Sequence, residues 1–327
     1  MVLKFFSIFM HCLFYLGSNE DISCAELKSL GVTDIKQVNG SIIEGFFPHD
    51  LPLKFLQEQL GGTIKMSRII GKSKHLEECT DAILTEIVGK NDGKKVTFGI
   101  NVKSGKKRAP DTIVTDVKKR LKKFDISSRY LNKRGKNVHN VTACEALKKG
   151  AYIFDIIRIK KEENAYYIAK AESVQNVEAY SYRDYEKPFR DAKVGMLPPK
   201  LAQIMINIAT GFIEQEDRED FTIYDPFCGS GTVVVEAMLS GFTAIGSDLH
   251  KKMVEGTAKN VAFTANLFGF DADDNLQNLF EHNATKKFPL DQKVDFIVSE
   301  THLGPAFSTV PNQTTLIKHK KELEMLY

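Results

Sequence analysis

Residues 221–232 read FTIYDPFCGSGT. A short apolar run ends in Asp225 and is followed by a glycine-rich bend, the pattern of a strand that delivers the chain to the start of a helix. What such a bend holds depends on its neighbours. A phosphate-binding P-loop needs GxxxxGK[ST], with a lysine to reach the phosphates, and no lysine follows Gly231. A dinucleotide fingerprint needs a third glycine in GxGxxG. Gly229 and Gly231 fill the first two positions, but Val234 stands at the third, which weakens the close helix–strand packing of that motif. Asp248, at the end of the next apolar stretch, suits a ribose in either class. Spacing alone leaves a dinucleotide open.

Outward from the bend, strands and helices alternate. The pattern predicts strands at 221–225, 242–248, 277–283 and 293–300, with helices at 231–240, 250–267 and 313–326. Such alternation gives a parallel sheet that binds ligands at the carboxyl ends of its strands. Upstream, MLPPKLAQIMINIATGF predicts a helix with Pro198 and Pro199 in its first turn and Leu201, Ile204, Met205 and Ile208 on one face. Residues 177–195, polar and aromatic with little periodicity, read as a linker. Residues 56–173 mix helices at 75–89 and 111–123 with strands at 95–102, 137–142, 151–159 and 164–171, and residues 1–55 read as a small α+β unit. The expected organisation is therefore 1–55, 56–173, a linker at 174–195, and 196–327.

The chain has 327 residues, 43% hydrophobic and 27% charged, enough for sizeable cores in two or three domains. Its five cysteines, Cys12, Cys24, Cys79, Cys144 and Cys228, form no CxxC pair. That argues against a zinc site or a disulfide framework and for a reducing cytoplasm. Residues 1–17, one lysine followed by a mostly apolar run, fit a signal peptide with Ser23 and Ala25 near its cleavage site. They also fit a buried strand followed by a helix at 22–30, and the polar SNED at 18–21 favours the strand. Charge is uneven. Residues 103–136 hold 13 Lys or Arg against 3 Asp or Glu, a local net of +10 in a chain of net +3. Within that block Ile113, Val117 and Leu121 mark a buried stripe, while Lys118, Lys119, Arg120, Lys122 and Lys123 face outward. With Arg129 close by, this is a surface for a polyanion, nucleic acid above all.

The residues before the glycines are more specific. YDPFCGSGT, 224–232, resembles the first motif of S-adenosylmethionine-dependent methyltransferases in the N6-adenine and N2-guanine branch. The resemblance implies that Asp225, Gly229 and Gly231 border the methionine part of S-adenosyl-L-methionine; Cys228, within the bend, counts with the cofactor-binding residues, and its own chemistry reads as that of a small packing residue and not a nucleophile. It further implies that Asp248 accepts from the ribose hydroxyls and that Asn283 faces the adenine, where many relatives carry aspartate. Residues 179–209, AYSYRDYEKPFRDAKVGMLPPKLAQIMINIA, look like the junction of the THUMP-containing tRNA guanosine N2-methyltransferases, which modify position 10 of tRNA. LFYLGSNEDISCAELKSLGV, 13–32, is similar to the start of such proteins. The fold implied is α/β: a Rossmann-like class I methyltransferase domain preceded by an α+β ferredoxin-like and THUMP region, with tRNA as partner.

Relatives carry a D/N-P-P-Y tetrapeptide after the fourth strand, whose oxygens accept the amino hydrogens of the target base. Here Glu300, Thr301, His302 and Leu303 stand there, followed by Gly304. Glu300 keeps an acceptor, the prolines are gone, and the ring is lost or moved to His302. Only four strands of a seven-strand sheet are predicted, so the domain reads as incomplete, with a missing C-terminal half or a partner subunit. A noncatalytic or split-subunit tRNA-binding protein and an N6-adenine methyltransferase are the rival readings.

Overall fold

The computed structural model describes residues 9–47, 53–103, 111–132, 136–191, 196–301 and 309–324. The chain forms two compact units, Met1–Val177 and Glu178–Tyr327.

In the first unit the order is β1 (Met10–Leu16), α1 (Glu20–Ser29), β2 (Thr33–Asn39), β3 (Ile42–Phe47), α2 (Leu53–Gln59), β4 (Thr63–Ser73), α3 (Cys79–Val88), β5 (Val96–Lys103), α4 (Asp111–Lys123), β6 (Ser128–Tyr130), α5 (Asn140–Lys148), β7 (Tyr152–Arg158) and β8 (Tyr166–Val174). Its strands make one sheet in the order β2-β3-β1-β4-β8-β7-β5-β6. The pairs are antiparallel except β5 with β6 and β7. This sheet runs through both expected N-terminal regions without a break at 55/56. Residues 10–16, one of the two readings of the apolar N-terminal run, form an interior strand. Cys12 and Phe14 face one core, Leu13 the other, and all three are fully buried. Alternate faces of a strand covered on both sides explain the largely apolar run from Cys12 to Leu16.

One expectation for this unit is corrected, and one central strand lies outside those expected. Residues 137–142 are not a strand; α5 begins at Asn140. The preceding segment follows β5 through asparagine side chains in place of a backbone ladder. Asn132 accepts from Ile100 N at 3.0 Å and donates to Ile100 O at 2.8 Å, and Asn101 Oδ1 accepts from Val138 N at 2.7 Å. The strand outside the expected set is β4. Its sequence, TIKMSRIIGKS, carries three charges and no clean alternation, yet it lies in mid-sheet because Lys65 pairs with buried Asp155 at 2.7 Å.

The second unit opens with α6 (Val177–Asp184), followed by α7 (Pro199–Thr210), β9 (Thr222–Asp225), α8 (Thr232–Leu239), β10 (Thr243–Asp248), α9 (Lys251–Phe268), α10 (Asp273–Gln277), β11 (Leu279–Glu281), β12 (Phe296–Ile297) and α11 (Gln313–Glu324). The predicted linker is corrected here. Its first half is helical, and residues 178–191 pack into this unit: Tyr180 and Lys187 are buried, and Arg183 is paired with Glu236. The strands form a parallel sheet in the order β11-β10-β9-β12. The chain therefore winds outward from β9 on one side and adds β12 on the other, and the crevice at the carboxyl ends of β9 and β12 is where such sheets bind ligands. β12 is shorter than predicted, although Asp295 N and Val298 N still donate to β9 carbonyls on either side of it.

Candidate cofactor site

The bend lies between β9 and α8 at that switch point. Gly229 and Gly231 have φ of 53° and 80°, left-handed values that a side chain resists. A Cβ on Gly231 would come within 2.6 Å of Thr257 Cγ2, whereas one on Gly229 would meet, among the described residues, only Phe227 O, at 3.8 Å. Asp248, at the end of β10, fixes the bend. Its Oδ2 accepts from Gly229 N at 3.1 Å and its Oδ1 from His250 N at 2.9 Å. Each carboxylate oxygen retains a lone pair for a further donor.

Asp225 is 3% exposed, and its Oδ1 accepts from Phe227 N at 3.0 Å and Ser299 Oγ at 2.6 Å. Burial lifts this carboxyl to about 7, against those two hydrogen bonds, and the charges of Asp248 and Glu300 push the same way. A native carboxyl raised this far takes up protons that the unfolded chain does not hold. Its contribution to stability is therefore present below the ordinary carboxylate range, near 3.8, and is lost as pH rises through about 7. Asp225→Asn keeps both hydrogen bonds, because both use Oδ1, and it removes the titration. We expect the variant to lose up to about 1.4 kcal/mol per pH unit of falling stability between pH 5 and 7. Urea unfolding at several pH values checks this, and an unchanged slope would assign the effect to another group.

Cys228 is buried, and burial raises its thiol well above the ordinary range, as fits packing and not nucleophilic chemistry. Asn283 follows β11 at an exposed position. Its Oδ1 already accepts from Thr285 N at 3.0 Å and Thr285 Oγ1 at 2.8 Å, so its amide nitrogen is the group left to address a ligand. Glu300 and Thr301 are exposed just beyond β12, beside the Ser299 that bonds Asp225. His302, with Leu303 and Gly304, lies outside the described residues. The structure thus brings Asp225, Cys228, Gly229, Gly231, Asp248 and Glu300 to one end of the sheet.

Three supporting residues were missed in the sequence. Thr257 Oγ1 donates to Gly229 O at 3.0 Å, and Asn260 Nδ2 donates to Ser230 O at 2.8 Å. Asn260 also exchanges hydrogen bonds with both backbone groups of Phe189. Lys187, from the segment read as a linker, donates to Ser230 Oγ at 3.3 Å and Thr232 Oγ1 at 3.2 Å. For the α9 pair a signal existed. Thr257, Asn260 and Thr264 share the inward stripe with Val261, and polar residues on a buried face are there to bond something.

In the first unit, α4 turns Ile113, Val117 and Leu121 inward and leaves Lys118, Lys119, Lys122 and Lys123 exposed, with Arg129 exposed on β6. Arg120 is partly exposed on the same face and reaches Asp81 at 2.6 Å.

A parallel sheet with this strand order, a glycine bend at its switch point and acids ending its first two strands has a Rossmann-like fold. Residues 189–316 match the family described as UPF0020: RMKL-like, methyltransferase domain. The curated relatives carry a more particular name. The tRNA (guanine(10)-N2)-dimethyltransferase of Methanothermobacter thermautotrophicus is 33% identical over 127 residues, 39% of this chain and 33% of that protein. The protein of the same name from Methanocaldococcus jannaschii is 31% identical over 111 residues, 32% of this chain and 28% of that one. The matches span about a third of the length of these relatives. Among solved structures, TrmN from Thermus thermophilus is similar in fold, with a TM-score of 0.50 and 16% identity over 97% of this chain and 82% of that one. The likeness to tRNA guanosine N2-methyltransferases expected from the sequence is thus found in the relatives.

Proposed function

We propose that the chain methylates the exocyclic N2 of a guanosine in tRNA, using S-adenosyl-L-methionine. The observation that carries this reading is the glycine bend tied to Asp248 beside buried Asp225, within a segment whose relatives bear that activity in their names. The residues fit the cofactor: no atom of the described residues crowds Gly229, Asp248 has acceptors to spare for ribose hydroxyls, and Asp225 offers a carboxylate to a cationic ligand. When bound, the cofactor supplies an electrophilic methyl group. Binding of its positive charge favours ionised Asp225.

A guanine amine is a poor nucleophile because its lone pair is delocalised into the ring. Glu300 is the acceptor that would draw on the amino hydrogens and aim the lone pair, with Thr301 beside it, a matter of orientation and charge stabilisation. His302 is the remaining member of that set. The base must leave its stack to reach them. Asn283 would address the adenine end through its amide.

For the first unit, the THUMP-like reading makes the exposed face of Lys118, Lys119, Lys122 and Lys123, with Arg129, a tRNA phosphate surface. Replacing the four lysines with glutamate is expected to weaken tRNA binding and to flatten its salt dependence by about 0.7–0.9 in log–log slope per lost contact. Filter binding across a salt series measures this; an unaltered slope would leave these lysines as a solvated face. Five free cysteines fit a cytoplasmic enzyme, and among the described residues no helix is long and apolar enough to cross a membrane.

The test of the whole reading is methyl transfer to tRNA with the product nucleoside identified by mass. Methylated guanosine at N2 supports it. N6-methyladenosine would move the chain to the adenine branch, and tRNA binding without transfer would make it a noncatalytic binder.

A further inference from the structure

We propose that Lys187 is the anion-recognising end of the cofactor site, its ammonium receiving the carboxylate of the cofactor's amino-acid tail together with the hydroxyls of Ser230 and Thr232. This rests on the methyltransferase reading and extends it to a residue outside the glycine motif. Lys187 is 6% exposed. Its hydrogen bonds go to two neutral hydroxyls, at 3.3 and 3.2 Å, and among the described residues no carboxylate stands within ion-pair distance of it. The acids that act on it from farther away are Asp184 and Glu236, with Arg190 opposing, and Glu236 is taken by Arg183 at 2.7 Å. A buried ammonium without a counter-ion is costly, and burial depresses its pKa accordingly. An arriving carboxylate would relieve that cost.

A second observation is independent of the lysine. α8 begins at Thr232, after Gly231, and among the described residues no side chain caps its N-terminus, so its first N–H groups and its dipole also favour negative charge there. The distribution of charge selects the kind of anion. Lys187 meets the bend at Ser230 and Thr232, whereas Asp225 sits at its other end. A cation and a carboxylate flanking one bend match the carboxylate and ammonium of an α-amino acid. A phosphate group, with no ammonium of its own, would leave Asp225 without a cationic partner in the ligand.

Calorimetry on the full chain tests this with two ligands, S-adenosylhomocysteine and 5′-methylthioadenosine, which lacks the amino-acid tail. Lys187→Met is expected to weaken S-adenosylhomocysteine about ten- to a hundredfold, the range for losing a charged hydrogen bond, and to leave methylthioadenosine unchanged. Lys187→Gln, which retains a donor for the two hydroxyls and removes only the charge, is expected to show the same selective loss. Equal weakening of both ligands would make Lys187 a prop for the bend and overturn the proposal, as would no change in either. Failure of the unaltered chain to bind either ligand would instead overturn the methyltransferase reading beneath it.

Discussion

Gly231→Val is expected to destabilise the C-terminal unit by about 2–5 kcal/mol and to abolish cofactor binding. Two costs combine. A branched residue at φ 80° pays about 1–2 kcal/mol for the left-handed conformation. Its Cβ would also lie 2.6 Å from Thr257 Cγ2 on α9, an overlap worth about 1–3 kcal/mol if the helix shifts to relieve it. Gly229→Ala is the control. Its φ of 53° carries the conformational cost, but no atom of the described residues crowds its Cβ, so a loss of only about 1–2 kcal/mol is expected. Urea unfolding of the two variants compares them. Equal stabilities would mean that the close approach of bend to α9 is not what demands glycine at 231.

Arg183→Met has a comparable effect by another route. Arg183 Nε donates to Glu236 Oε1 at 2.7 Å, and the side chains are 9% and 1% exposed. Removing one member of such a pair leaves a buried charge and typically costs 3–5 kcal/mol. Burial already pushes the Glu236 carboxyl upward, while Arg183 and Lys187 pull it down. Without Arg183 the balance tips further towards the protonated acid. The penalty should therefore be larger at pH 8 than at pH 5, where Glu236 can neutralise itself. Adding Glu236→Gln should recover much of the loss. If the single variant is no less stable than the unaltered chain, residues 177–191 do not anchor to α8 through this pair.

The C-terminal unit was legible because its elements obey local rules. The 221–232 motif names a strand, a bend and a helix start in twelve residues, and Pro199 opens α7 where a proline belongs. Asp225, Gly229, Gly231 and Asp248 were picked out by the resemblance of the 224–232 motif, and strand order sets them at one end of the sheet. The junction was misread for the opposite reason. Arg183 and Lys187 look like surface residues in any window of sequence, and only the acid and hydroxyls supplied by α8 and its bend bury them. β4 was missed because Lys65 breaks its apolar pattern, and the residue that admits it, Asp155, is 90 positions away. The 137–142 error has the same root: asparagine side chains stand in for a backbone ladder that periodicity would detect.

The placement of β4 has a consequence for the protein while it is being made. Its partner β1 precedes it, but its other partner, β8, lies about a hundred residues downstream; the Arg68–Glu172 pair that joins them spans 104 positions. At 5–20 residues per second, about 5–20 s pass on the ribosome between the two strands. For that interval β1, β3 and β4 can pair, and β4 presents an open edge to whatever nascent chain is near. Lys65, Arg68 and Lys72 are spaced along it, and charges on an open edge discourage strand addition by a stranger. The same three side chains later meet Asp155, Glu172 and Glu162. They serve first as a guard against wrong pairing, then as the marks by which the correct strands are received.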